Sequence, residues 1–207
     1  PSKGIINPKA KVKETVHQYA AAGAAAVSVL TDVHFQGEDI DLERAVGISA
    51  VPVLRKDFMV DEYQLAEAKK LGASAVLLIA AVLSKEELQS MFSVANDLTL
   101  DVLFEVHNEA EIEKLPGGAK IIGVNNRNLE SFEVSIDTSL RLLPLMPSSC
   151  IKVSESGISD IKVVQKLYEH GFDAFLIGEN FMKTENPGAS AREFISAVKE
   201  LKNQAKS

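Results

Sequence analysis

Along the chain, amphipathic stretches with helical spacing alternate with short runs that are apolar at nearly every position. The spacing predicts helices near 8–22, 39–47, 61–72, 84–97, 108–115, 136–143, 159–170 and 188–203. The apolar runs predict strands near 25–30, 51–55, 74–80, 100–106, 120–124, 150–154 and 173–177. The clearest run, Ala75-Val76-Leu77-Leu78-Ile79-Ala80-Ala81, has no polar alternation, which implies burial on both faces, as in a parallel sheet covered by helices. A buried helical segment would carry the same pattern; the shortness of the run and the flanking Gly72 and Ser84 favour a strand. Gly23, Gly72 and Gly171 each fall shortly before a strand, where a helix ends on a left-handed residue. Ser84 with Glu87 and Ser159 with Asp160 mark helix starts.

The predicted elements are eight helices and seven strands, and the first of them is a helix. A right-handed succession of strand–helix units that ends in a helix should begin with a strand. An open doubly wound sheet accommodates seven strands, whereas an eight-stranded barrel needs its first one to close. The pattern leaves two options: an open sheet, or a first strand upstream of Pro1. No break in composition and no long linker divides the 207 residues, so one α/β domain spanning 1–207 is expected.

Apolar residues make up 46 % of the chain, enough for a large core, and the net charge is −7 with no basic cluster. That balance argues against nucleic acid as a partner and leaves room for a local basic pocket that takes a phosphorylated metabolite. Cys150 is the only cysteine, so no intrachain disulfide forms. With no signal-peptide pattern either, a cytoplasmic location is expected. No apolar run is long enough to span a bilayer. His17, His34, His107 and His170 lack metal-ligand spacing and read as structural or surface residues. There is no dinucleotide fingerprint, P-loop or zinc motif.

Active sites of parallel α/β proteins gather at the C-terminal ends of the strands. The polar residues there are Arg55-Lys56-Asp57, Glu105 with His107, Asn125-Asn126-Arg127, Ser154-Glu155-Ser156 and Glu179; the Ala75–Ala81 run ends without a polar group. Strand alternation puts Leu54 with Lys56, Leu103 with Glu105, and Gly123 with Asn125. If the leucines fill a barrel interior, Lys56, Glu105 and Asn125 point into its mouth, where a lysine and a carboxylate can act as acid and base. The competing reading is a structural ion pair. Gly157 and Gly178 follow the last two strands, the usual place for backbone N–H groups that cradle a phosphate. Glu179 would add an unfavourable charge there unless its side chain turns away.

Read in order, these strand ends resemble the indole-3-glycerol-phosphate synthase family. The matching strings are Pro1-Ser2-Lys3-Gly4, Ser28-Val29-Leu30-Thr31-Asp32, Pro52-Val53-Leu54-Arg55-Lys56-Asp57-Phe58, Leu77-Leu78-Ile79-Ala80-Ala81, Glu105-Val106-His107, Gly123-Val124-Asn125-Asn126-Arg127, Ser154-Glu155-Ser156-Gly157-Ile158 and Gly178-Glu179. The resemblance implies a (β/α)8 barrel whose first strand and N-terminal extension lie outside this chain. It implies a cofactor-free lyase of tryptophan biosynthesis that decarboxylates, cyclises and dehydrates 1-(2-carboxyphenylamino)-1-deoxyribulose 5-phosphate. In that family pattern Lys56 matches the general acid, Glu105 a carboxylate that stabilises or deprotonates the intermediate, and Asn125 a residue orienting substrate hydroxyls. Arg127, Glu155 and Ser156 match substrate contacts, and Gly157, Gly178 and Glu179 match the phosphate loop. Phe35, Phe58, Leu77, Ile79 and Leu129 match the apolar wall against the anthranilate ring.

In the family, the strand upstream of the Pro-Ser-Lys-Gly string carries a catalytic Glu and a substrate-binding Lys, so residues 1–207 alone are expected to turn over slowly. Asn180 stands where the family often has Ser. Two other readings compete. A related phosphate-binding isomerase or aldolase would form a Schiff base on Lys56, and a phosphate-binding fragment would bind without turnover.

Overall fold

A computed structural model of the chain describes residues 6–204. The elements, in order, are α1 (Val12–Ala22), β1 (Val27–Leu30), α2 (Asp39–Val46), β2 (Val53–Lys56), α3 (Glu62–Lys70), β3 (Ala75–Ile79), α4 (Lys85–Asp97) and β4 (Asp101–Val106). They continue with α5 (Glu109–Ile112), β5 (Ile121–Asn125), α6 (Asp137–Leu142), β6 (Ile151–Glu155), α7 (Ile161–His170), β7 (Ala174–Leu176), α8 (Glu179–Met182) and α9 (Pro187–Gln204). The strands follow one another across the sheet in the order β1 to β7, and the pairs of known register are parallel. The residues group into two compact units: Pro1–Asp57, Glu67–Ala75 and Gly178–Ser207 in the first, Phe58–Ala66 and Val76–Ile177 in the second.

In the first unit, β1 and β2 pair from Val27↔Val53 to Leu30↔Lys56. Val27, Val29, Val53, Leu42 and Ala45 are buried around this pair. Helix α1 ends at Gly23, whose φ of 95° is the left-handed conformation its position requires, and its N–H donates to the Ala20 carbonyl. Gly72, at φ 89°, also leaves no room for a side chain, since a Cβ there would stand 2.7 Å from Val46 Cγ1. Tyr19 of α1 meets Phe181 edge-on at 5.9 Å between ring centres, and Phe181 meets Phe194 at 5.6 Å.

In the second unit, β4 to β7 pair in parallel. Phe104, Val106, Ile122 and Val124 are fully buried, with Leu88 and Met91 of α4 in the same core, and Phe92 packs edge-on against Phe104. The predicted start of α4 is a complete capping box: Glu87 N–H donates to Ser84 Oγ, and Ser84 N–H donates to Glu87 Oε2. At the start of α7 it is Asp160 that caps, accepting from Lys162 N–H at 2.9 Å. Cys150 is buried just before β6, its Sγ 3.1 Å from the Pro147 carbonyl, and burial pushes its thiol up.

Three helix expectations change. The helix predicted from residue 8 begins at Val12, because Asn7 Oδ1 accepts Lys9 N–H and closes a turn first. The helix predicted over 108–115 is one turn, Glu109–Ile112; the N–H groups of Lys114 and Leu115 bond three residues back, and Pro116-Gly117-Gly118 follows. The short α8 has too few residues to leave a periodic signal, so the described residues hold nine α-helices rather than eight. Among the described residues no helix is long and apolar enough to cross a membrane.

The Tyr19 hydroxyl is buried without a hydrogen-bond partner, and burial pushes its phenol up to about 12. Removing an unsatisfied buried group relieves its desolvation cost. Tyr19→Phe is therefore expected to leave stability unchanged or raise it by up to about 1 kcal/mol, read as the urea midpoint; a loss of stability of that size refutes the assignment.

Candidate active site

Parallel register lines up the polar ends of β4, β5 and β6 within the second unit. Glu105 is opposite Gly123, and Asn125 is opposite Glu155. Asn125 Nδ2 donates to Glu105 Oε1 at 3.1 Å, and Asn125 Oδ1 accepts Arg127 N–H at 3.0 Å, which fixes the amide's orientation. Glu105 and Glu155 are only 3 % and 2 % exposed. Gly123 makes room for Glu155: a Cβ there would overlap Glu155 Oε1 and stand 3.2 Å from Leu103 Cδ1.

The next residue, Asn126, leaves the sheet on the opposite face. Its Nδ2 donates to Ser154 Oγ at 3.0 Å and to the Ser156 carbonyl at 3.1 Å, while its Oδ1 accepts Ser139 N–H and Ser139 Oγ–H. Asn126, Ser139 and Ser154 are all buried, and each is satisfied within this network. It anchors the turn after β6, where Ser156 (φ 65°) and Gly157 (φ 72°) are both left-handed. A side chain at Gly157 would also strike Val134.

Strand β2 of the first unit follows the same logic. Arg55 is buried and points to the helices: Nη1 donates to Glu67 of α3 at 2.8 Å, and Nη2 donates to Asp39 of α2 at 3.0 Å and to Asp57 at 3.3 Å. Its Nε donates to Thr31 Oγ1, whose hydroxyl donates to Asp57. Burial raises the Asp39 carboxyl above its ordinary range, and the Arg55 charge pulls the other way. With Arg55 committed to the helix side, alternation sends Lys56 out of the other face of β2.

The remaining predicted positions divide by unit. In the second, Phe58 and Leu129 are partly exposed, Leu77 and Ile79 are buried along one face of β3, and Arg127 bridges to Val134. In the first, Phe35 is partly exposed on the 3-10 turn Val33–Phe35, and Gly178 precedes Glu179 at the start of α8. His107, read from the sequence as structural or surface, is largely buried between carboxylates: Nδ1 is 3.1 Å from Glu111 and Nε2 is 3.4 Å from Glu105. Among the described residues no cluster of three or more His, Cys, Asp or Glu is arranged to hold a metal ion.

The family model described as indole-3-glycerol phosphate synthase matches residues 1–194. The chain belongs to the indole-3-glycerol phosphate synthase family. A protein of that name from Bacteroides thetaiotaomicron is 47 % identical over 199 residues, covering 96 % of this chain and 76 % of the relative. One from Azoarcus sp. is 47 % identical over 196 residues, covering 93 % and 74 %. Among solved structures, the fold is similar to 3-hexulose-6-phosphate synthase from Salmonella typhimurium, with a TM-score of 0.75 at 15 % identity, covering 91 % of this chain and 92 % of that one. Thiamine phosphate pyrophosphorylase from Pyrococcus furiosus gives 0.70 at 16 %, covering 93 % and 91 %.

Two groups around the family's strand-end motifs were not singled out from the sequence. Asn126 appeared there only as part of a string, and its Ser139 partner is on a helix whose docking a linear pattern does not reveal. Arg55 was legible as a charge inside an apolar run, which is a signal of burial with partners. Gly123→Ala is expected to lower stability by about 1–3 kcal/mol through overpacking and to cut turnover by displacing Glu155. Thermal unfolding and the steady-state rate measured on the same sample check both; wild-type values for both would refute the packing argument.

Proposed function

We infer that the chain forms indole-3-glycerol phosphate in tryptophan biosynthesis, acting as a carboxy-lyase on 1-(2-carboxyphenylamino)-1-deoxyribulose 5-phosphate, with loss of carbon dioxide and water. Family membership gives the reaction. The observation that supports a catalytic surface on this chain is the buried Glu105 carboxylate, held by Asn125 at the C-terminal ends of parallel strands.

The roles follow the chemistry. Ring closure onto the substrate carbonyl needs a proton at its oxygen, which Lys56 supplies as general acid. Ring closure leaves the aromatic ring cationic, and loss of carbon dioxide returns the bonding electron pair to it. Glu105 stabilises that cation, or takes the proton given up after water leaves. Asn125 orients the substrate hydroxyls, with Arg127, Glu155 and Ser156 as further polar contacts. Phe35, Phe58, Leu77, Ile79 and Leu129 face the anthranilate ring. The backbone at Gly157, Gly178 and Glu179 takes the phosphate through its N–H groups, and the binding energy holds the reacting carbons in place. Gly178 supports this: its φ is −124°, and no described atom is within 4 Å of a Cβ built there, so the fold itself does not demand glycine. A ligand that must approach the backbone does.

The seven strands are read as the second to eighth of a (β/α)8 barrel, since the chain spans about three quarters of its relatives' length. Each compact unit is assembled from separate stretches of chain, which favours one domain over two. The protein is read as cytoplasmic, working without metal, organic cofactor or nucleic acid on a phosphorylated small molecule.

Indole-3-glycerol phosphate formation, followed by fluorescence in the full-length protein, tests the reaction, and its absence refutes it. Lys56→Ala is expected to lower kcat by roughly 10²–10⁴-fold with folding unchanged; undiminished kcat would remove Lys56 from the acid role. Gly178→Ala is expected to leave the melting temperature in place and raise KM for the phosphorylated substrate, and an unaltered KM would exclude Gly178 from phosphate binding.

A further inference from the structure

The end of β4 carries a second titratable group that these roles do not use. Glu105 and His107 are two residues apart, so they share a face where the strand ends. His107 is held from behind by Glu111 of α5. Glu111 Oε2 accepts the His107 backbone N–H at 2.7 Å and is 3.1 Å from Nδ1. Glu111 is fixed in turn by Asn108, whose Nδ2 donates to Glu111 Oε1 at 2.6 Å and whose Oδ1 accepts Glu111 N–H at 3.0 Å. The other ring nitrogen, Nε2, is buried, has no full hydrogen bond, and faces Glu105 Oε1 at 3.4 Å.

Both oxygens that face the ring already act as acceptors, Glu111 Oε2 from a backbone N–H and Glu105 Oε1 from Asn125 Nδ2. A neutral imidazole has one donor nitrogen and one lone pair. Either tautomer would therefore point a lone pair at a buried carboxylate oxygen. The arrangement is satisfied when both nitrogens carry hydrogen.

We propose that His107 is a positioning residue for Glu105: its Nδ1–H donates to Glu111, its Nε2–H donates to Glu105 Oε1, and it shares that oxygen with the Asn125 amide. His107 does not touch substrate in this proposal. It acts through Glu105, and the proposal rests on the role given to Glu105 above. Glu111 and Asn108 supply the anchor that keeps the ring from turning away. Each added donor narrows the positions open to the carboxylate before substrate arrives, and misplacement of about 1 Å at such a group costs on the order of 10²-fold in rate.

Two substitutions separate the two ring nitrogens. His107→Asn places its amide N–H near the Nδ1 position, keeping a donor for Glu111 and removing the one for Glu105. His107→Gln extends an amide N–H toward the Nε2 position. The expected result in the full-length enzyme is a fall in kcat of about 10–100-fold for His107→Asn with KM changed less than about twofold. His107→Gln should recover a substantial part of the loss. Equal kcat for His107→Asn and wild type, an effect confined to KM, or a glutamine variant no better than asparagine would overturn the proposal. Long-range proton–nitrogen NMR of the histidine-labelled wild-type protein decides it even if both variants misfold. Protonated shifts are expected at both His107 ring nitrogens, and a bare lone pair at Nε2 rules the contact out. Wild-type turnover tests the synthase reading separately, since the NMR result does not depend on it.

Discussion

Parallel strand register is the constraint on which the second unit's polar surface depends. It sets Asn125 beside Glu155 and Gly123 beside Glu105, and it leaves no freedom to move one without the others. Two carboxylates so nearly buried would ordinarily be costly. The Asn125 amide offsets part of that cost at Glu105, and the missing side chain at Gly123 leaves the space that the Glu155 carboxylate fills. A single atom added at Gly123 would break an arrangement spread over three strands.

The two faces of a strand end take different partners. Arg55 and Asn126 turn toward the helices and are consumed there, one by three carboxylates and a threonine, the other by two serines and a backbone carbonyl. Their neighbours Lys56 and Asn125 leave by the other face. Period-two geometry thus makes one of two adjacent residues a clamp and sends the other out of the opposite face. The clamp is polar because the strand end has run out of apolar core, and a buried polar group with every bond made also specifies one conformation.

His107 extends this economy along the chain. The Asn108–Glu111 cap that starts α5 also fixes a histidine ring, so a helix of one turn contributes to the site despite its length. Here helix capping and side-chain placement are the same set of hydrogen bonds.

The amino-acid sequence determined the alternation of helices and strands, the left-handed ends at Gly23, Gly72 and Gly171, the capping box at Ser84, and which polar residues end the strands, because each depends on neighbours within a few positions. The family was legible too, since its motifs are contiguous strings at those ends. The helix boundaries near residues 8–12 and 108–115 were not, because local turns at Asn7 and after Ile112 competed with a periodic pattern. What only the tertiary structure decided is which distant groups meet: Arg55 with Glu67, Asn126 with Ser139, Gly123 with the carboxylate of Glu155, His107 with Glu105 on one side and Glu111 on the other. Such pairings depend on strand register and helix docking, which are set by the packing of the whole core and leave no mark at any single position of the chain.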